Sequence, residues 1–186
     1  MKERVLDVGC GDSKVDGAVG IDRFSLQGVD IQHNLNEMPW PLDDNDFDRI
    51  IFSHAISHLD DICAVMEECF RILKKGGIIE IVAPHFSSDN FYTDPTHVFS
   101  MGYRSMNYFV DNIDFKYRYI SKDKAFKLIH SSISFREAST SWRENPKFNI
   151  LKIIGLEALV NMSPRLYEKF FSAFLGSSEL YFVLKK

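Results

Sequence analysis

Short apolar runs recur along the chain, and each ends in a polar or glycine-rich turn. Val5-Leu6-Asp7-Val8, Ala18-Val19-Gly20-Ile21, Val29-Asp30-Ile31-Gln32-His33, Phe47 to Phe52 and Ile78 to Ala83 have the length of strands. Their nearly continuous apolar character suits parallel strands in the middle of a sheet. Phe126 to Phe135 and Glu179 to Leu184 read as two further strands. Between the fourth and fifth runs the period changes: Ile62, Val65, Met66, Cys69, Phe70 and Leu73 recur at helical spacing behind Asp60-Asp61. Lys74-Lys75-Gly76-Gly77 predicts the end of that helix, with cations at its carbonyl end and a glycine cap. Tyr103 to Val110 also reads as helical. A helical insertion is predicted over 142–176, with Ile150, Ile153, Ile154, Leu156, Leu159 and Val160 before Pro164 and Leu166, Tyr167, Phe170, Phe171 and Phe174 after it. Its apolar stripe reads first as core, and after that as a lid, a dimer surface or a membrane-surface face.

Strands alternating with helices predict a single α/β domain over 1–186, and the strand ends collect the polar chemistry. Gly9 and Gly11 follow the first strand directly, where glycine permits positive φ and lets a ligand approach the backbone. Asp7 lies at the carboxyl end of that strand. Asp22 ends the second, where a carboxylate can accept both hydroxyls of a ribose. Only Lys14-Val15-Asp16-Gly17 separate the glycine turn from the next strand, too few for a usual crossover helix, so the first helix is expected to be truncated. A dinucleotide fingerprint would need glycine at position 14, and the chain has Lys14.

Leu6-Asp7-Val8-Gly9-Cys10-Gly11, Gly20-Ile21-Asp22, Phe47-Asp48-Arg49-Ile50-Ile51-Phe52-Ser53-His54 and Phe70-Arg71-Ile72-Leu73-Lys74-Lys75-Gly76-Gly77 together resemble the class I S-adenosylmethionine (SAM)-dependent methyltransferases. The resemblance runs from Val5 to about His85. It implies a Rossmann-like, doubly wound, mostly parallel sheet of order 3-2-1-4-5-7-6 with the last strand antiparallel. It also implies SAM as cofactor and S-adenosylhomocysteine (SAH) as product. The residues expected to hold the cofactor are Asp7, Gly9, Cys10, Gly11, Asp22, Arg23, Asn34, Leu35, Ser53, His54, Ala55 and His58. Within this set Asp22 would bind the ribose, Asn34 and Leu35 the adenine, and Ser53 to Ala55 the far wall; Asn34 stands where related enzymes often carry aspartate. The segment 86–112 is expected to form the substrate loop and a helix. Its Asp-Pro-Thr-His turn nominates His97 as a general base oriented by Asp94, with His85 as the other candidate.

The chain carries 26 acidic and 22 basic side chains, a net charge of −4, with no basic block to follow a phosphate backbone. Nucleic acid is therefore not expected as a partner, and the acceptor is expected to be a small molecule such as a sugar or another metabolite. Cys10, Cys63 and Cys69 show no paired spacing, which fits a reducing, cytoplasmic setting. No apolar run reaches spanning length, so no integral membrane segment is expected. His54 and His58 stand four apart, and His85 and His97 add imidazoles, but the glutamate of a zincin pattern is absent and no metal is expected. With the first helix truncated, an open face or edge could be closed by a second copy in a homodimer. The alternative function is a non-catalytic SAM or SAH sensor, or a subunit of a larger complex.

Overall fold

The computed structural model describes residues 3–111, 119–135 and 155–186. Seven strands form one sheet: β1 (Val5–Val8), β2 (Val19–Asp22), β3 (Ile31–Gln32), β4 (Phe47–Ser53), β5 (Leu73–Pro84), β6 (Lys127–Ser134) and β7 (Glu179–Lys185). Their order is β3-β2-β1-β4-β5-β7-β6. β1 to β5 pair in parallel, while β7 runs antiparallel to both β5 and β6. The predicted Rossmann-like α/β sheet, with its antiparallel last strand, is thus the observed one. No helix lies between Val8 and Val19, as the short connection requires. The third strand is shorter than its apolar run, because Asp30 turns its carboxylate back to the Gly20 amide (2.7 Å) and Lys14 Nζ (2.7 Å).

Alternate residues divide the two faces of the sheet. Leu6, Val8, Ile50, Phe52, Ile79, Ile81, Leu180 and Phe182 enter the larger core, which α1 (Ile62–Ile72) covers with Val65, Met66, Cys69 and Ile72. On the other face the described apolar cluster is small: Val5, Ala18 and Ile51, with Val15 packed against them. α1 begins at Asp61, whose carboxylate accepts the Cys63 and Ala64 amides at 2.9 and 3.0 Å.

The end of α1 differs from expectation. Lys74-Lys75-Gly76-Gly77 belong to β5, and the helix stops at Ile72. Its last carbonyls are taken by distant groups: Asn45 N donates to Arg71 O (3.0 Å), Asp46 N to Ile72 O (2.8 Å), and Lys186 Nζ to Phe70 O (2.6 Å). Leu73, fully buried, already pairs with Phe47 of β4, so the chain turns straight into strand.

A short helix, α2 (Asp89–Thr93), interrupts the segment expected to be loop, and the helical pattern at Tyr103 to Val110 is a 3-10 turn over Ser105–Phe109. Of the predicted insertion, 142–154 lies outside the described residues; the remainder forms α3 (Leu156–Met162) and α4 (Pro164–Phe170), with Pro164 opening α4. Val160 and Tyr167 enter the core, whereas Leu159, Met162, Leu166, Phe170, Phe171 and Phe174 are exposed. Among the described residues, only part of the apolar stripe is therefore core. Among the described residues no helix is long and apolar enough to cross a membrane.

Candidate active site

The glycine turn after β1 is shaped by a close approach. Gly9 has φ +66°, and a Cβ placed on it would stand 2.5 Å from Ala55 Cβ, so the turn and the segment after β4 meet only because position 9 has no side chain. Gly11 has φ +55° and open space around it, so its demand is on backbone conformation alone. Asp22, buried at the end of β2, accepts the Gly11 amide on Oδ2 (3.0 Å) and the Phe24 amide on Oδ1 (2.9 Å). Each oxygen keeps a further lone pair, which two vicinal hydroxyls can use.

Asp7 serves the turn from behind: its Oδ2 accepts the Val15 amide at 2.8 Å. Burial raises its pKa above the ordinary carboxyl value, against the pull of the Val15 hydrogen bond and of Lys14. The Cys10 thiol is pushed up to about 11 by burial and by the nearby Asp7 and Asp22 carboxylates, so near neutral pH it is a protonated, packed side chain.

A cleft of about 660 Å³ opens at the carboxyl ends of β1 to β4, within the range of small-molecule sites. Gly9, Asp22 and Arg23 line one side, Asn34 and Leu35 the second, and Ser53, His54, Ala55 and His58 the third. Asp7, Cys10 and Gly11 are not among its lining residues. Asn34 acts as a turn residue, accepting the Asn36 amide (3.3 Å) and donating to Glu37 Oε1 (3.0 Å). His54 carries a left-handed backbone, φ +59°, that a non-glycine residue adopts at a cost of order 1–3 kcal/mol. Its Nε2 lies 3.2 Å from Glu179 Oε1.

A second cavity of about 560 Å³ adjoins the cleft; His54 and His58 line both, and Asn90, Thr93, Asp94 and His97 complete its polar wall. Asp94 does not orient His97 by a hydrogen bond. Its Oδ1 instead accepts the Thr96 amide (2.8 Å) and hydroxyl (2.6 Å), contacts that hold the Asp94 carboxyl below its ordinary pKa. Thr96 Oγ1 has spent its proton on Asp94, so at 2.9 Å it accepts from His58 Nδ1–H. His97 Nδ1–H donates to the Phe91 carbonyl at 2.9 Å.

His85 is a different case from His97. It is fully buried, accepts the Ser87 amide on Nδ1 (3.1 Å) and reaches Glu168 of α4 through Nε2 (3.3 Å). Nδ1 is used within the turn after β5 and Nε2 ties that turn to α4, so neither ring nitrogen is left to meet an acceptor.

Sequence patterns did not indicate Phe24, Asn36, Leu59, Asp60, Thr96 or Val98 as walls of the cleft, nor Glu179 as the partner of His54. Asn36 and Asp60 hold each other by two hydrogen bonds, Nδ2 to Oδ2 at 2.7 Å and the Asp60 amide to Oδ1 at 3.0 Å. They are 24 residues apart, and no local spacing announces such a pair. Thr96 did have a signal, since it follows Asp94 at the spacing of an Asx turn.

A mostly parallel sheet of this order, with a glycine turn after β1, a carboxylate ending β2 and a cleft above them, is the architecture of class I SAM-dependent methyltransferases. Residues 1–134 match the family described as "Methyltransferase domain", and the chain belongs to it. A probable S-adenosylmethionine-dependent methyltransferase from Mycolicibacterium smegmatis is 34% identical over 99 residues, covering 44% of this chain and 38% of the relative. The ubiquinone/menaquinone biosynthesis C-methyltransferase UbiE of Desulfotalea psychrophila is 38% identical over 56 residues, 30% of this chain and 22% of that protein. The chain thus matches well under half the length of either relative. The crystal structure of a SAM-dependent methyltransferase from Archaeoglobus fulgidus superposes with a TM-score of 0.59 at 21% identity, covering 99% of this chain and 86% of that one.

Proposed function

We propose that this protein transfers the methyl group of SAM to a small-molecule acceptor. The observation that carries the reading is the cradle at Gly9, where a Cβ would strike Ala55, next to the Asp22 carboxylate in a cleft of about 660 Å³. A nucleoside with vicinal hydroxyls fits those groups: Asp22 accepts the hydroxyls, Leu35 packs on the base, and Asn34 meets the base edge by sharing its turn contacts. Bound SAM would supply a sulfonium-activated methyl, with the acceptor's lone pair forming the new bond to the methyl carbon as the carbon–sulfur bond breaks and SAH leaves.

The chain's own part is alignment, worth about 7–11 kcal/mol in well-oriented systems, and proton removal where the acceptor is a hydroxyl. The second cavity is the acceptor's place, since it adjoins the cleft and shares with it the walls formed by His54 and His58. His54 is the base we assign. It donates Nε2–H to the buried Glu179, which leaves the Nδ1 lone pair of the neutral ring to take a proton. His97 and Asp94 shape the acceptor cavity, and the buried His85 has no part in proton transfer. Sugars and other small metabolites suit the polar lining of that cavity, and a cytoplasmic setting agrees with three free cysteines.

The first test is the melting temperature with and without excess SAH. At about 100 times its dissociation constant, a ligand of the folded state adds about 2.7 kcal/mol. An upward shift in the native protein that Asp22→Ala abolishes is the expected result; no shift in either protein refutes the cofactor site. With an acceptor in hand, His54→Gln is expected to lower turnover by about 10²–10⁴-fold while circular dichroism shows the fold retained.

A further inference from the structure

Between the cleft and the second cavity, three side chains of metal-binding type converge: a ring nitrogen from each of His58 and His97 and a carboxylate oxygen of Asp94 lie within 4.8 Å of one another. They come from two separate segments, the turn after β4 and the Asp-Pro-Thr-His turn. The hydrogen bonds around them fix their chemistry. His58 spends its Nδ1 proton on Thr96 Oγ1, and His97 spends its own on the Phe91 carbonyl, so each neutral ring carries its lone pair on Nε2. A ring nitrogen whose opposite N–H is held by an oxygen is the usual state of a metal-bound histidine. Asp94 is anchored through Oδ1 alone, which leaves Oδ2 without a hydrogen bond.

The two rings also lie against one another. His97 stacks on Phe91 with an interplanar angle of 3° on one side and on His58 with a centroid distance of 4.5 Å on the other. All three groups face the cavity of about 560 Å³, so the positions they do not fill are open to a small molecule.

We propose that His58, Asp94 and His97 bind one divalent first-row transition-metal cation at the wall shared by the two cavities. Two imidazoles with one carboxylate select such a cation over magnesium or calcium, which take oxygen ligands. Zinc ligands at about 2.0–2.2 Å from the ion stand roughly 3–4 Å apart, so the set is completed when the half-buried His58 and His97 rings turn out of their mutual stack and the exposed Asp94 closes on them. Three protein ligands leave coordination open, as in catalytic rather than structural sites. The open position would hold an oxygen of the acceptor; that use rests on the methyl-transfer reading, whereas metal binding rests on the side-chain geometry alone.

The experiment is a zinc titration of the full-length, chelator-treated protein against a chromophoric competitor, with bound metal counted after gel filtration. One equivalent is expected. Asp94→Asn, His97→Gln and His58→Gln should each weaken zinc by about 100-fold or more, while His33→Gln and His130→Gln keep the native affinity. No bound zinc, or binding that His58→Gln and His97→Gln both retain, overturns the proposal. The SAH shift is read on the same samples. Zinc binding without an SAH shift keeps the metal site and removes the methyl-transfer reading; an SAH shift without zinc does the reverse. It also reports that Asp94→Asn and His97→Gln are folded, and circular dichroism does so for His58→Gln, whose ring lines the cleft.

Discussion

Asp7 shows how one buried carboxyl is used as scaffold beneath a ligand site. Burial raises its pKa, while the Val15 amide and Lys14 pull the other way. A carboxyl with a raised folded-state pKa contributes stability that is full below the unfolded value and is lost as pH rises through the folded value. Asp7→Asn keeps an acceptor oxygen for the Val15 amide and removes the charge. The stability of the variant relative to the native protein should therefore climb as pH rises from about 4 toward 7. Urea midpoints across that range measure it, and a difference that stays flat refutes the assignment. The opposite direction holds for Asp94, where Thr96 donors favour the charged form.

At the scale of the element, the glycine turn separates two reasons for having no side chain. Gly11→Ala meets no neighbour within 4 Å, so its cost is the left-handed backbone, about 1–2 kcal/mol. Gly9→Ala carries the same backbone cost and adds the collision with Ala55, about 1–3 kcal/mol more from overpacking. Denaturant unfolding should rank Gly9→Ala as clearly the more damaging, and its SAH shift should fail even where the fold survives. Equal losses would mean that β1 and the segment after β4 move apart easily. The same element shows why no helix is needed after β1: the amides of Gly11 and Val15 are taken by Asp22 and Asp7, so the loop is held by carboxylates instead.

Across the whole molecule the sheet is most deeply covered at its centre. Leu6 and Val8 of β1, Ile50 and Phe52 of β4, and Ile79 and Ile81 of β5 have no exposed surface, while β3 has two half-buried or exposed residues at one edge. Native-state hydrogen exchange should find the slowest amides in β1, β4 and β5 and early opening at β3, the strand that leads into the Asn34 and Leu35 wall of the cleft. Slow exchange at β3 in the ligand-free protein would contradict this ordering. Beyond the cleft, the end of α3 and the turn after α4 present Met162 and Phe174 at 81% and 91% exposure, an apolar surface larger than packing alone requires.

The amino-acid sequence by itself determined the strands, their alternation with helix, the glycine turn and the acid ending β2. Each of these is local: run length, periodicity and a left-handed backbone that glycine adopts most readily are written in consecutive residues. The resemblance carried by those same residues gave the strand order. Tertiary structure decided what local pattern cannot encode. α1 ends at Ile72 because Asn45, Asp46 and Lys186 arrive from elsewhere to take its carbonyls. His85 and His97 look alike in sequence, yet one is sealed against α4 and the other faces a cavity, because only one of them lies under a helix packed from 83 residues away. His54 gained Glu179, and His58 gained Thr96 and Asp94, through contacts between segments whose separation follows no period.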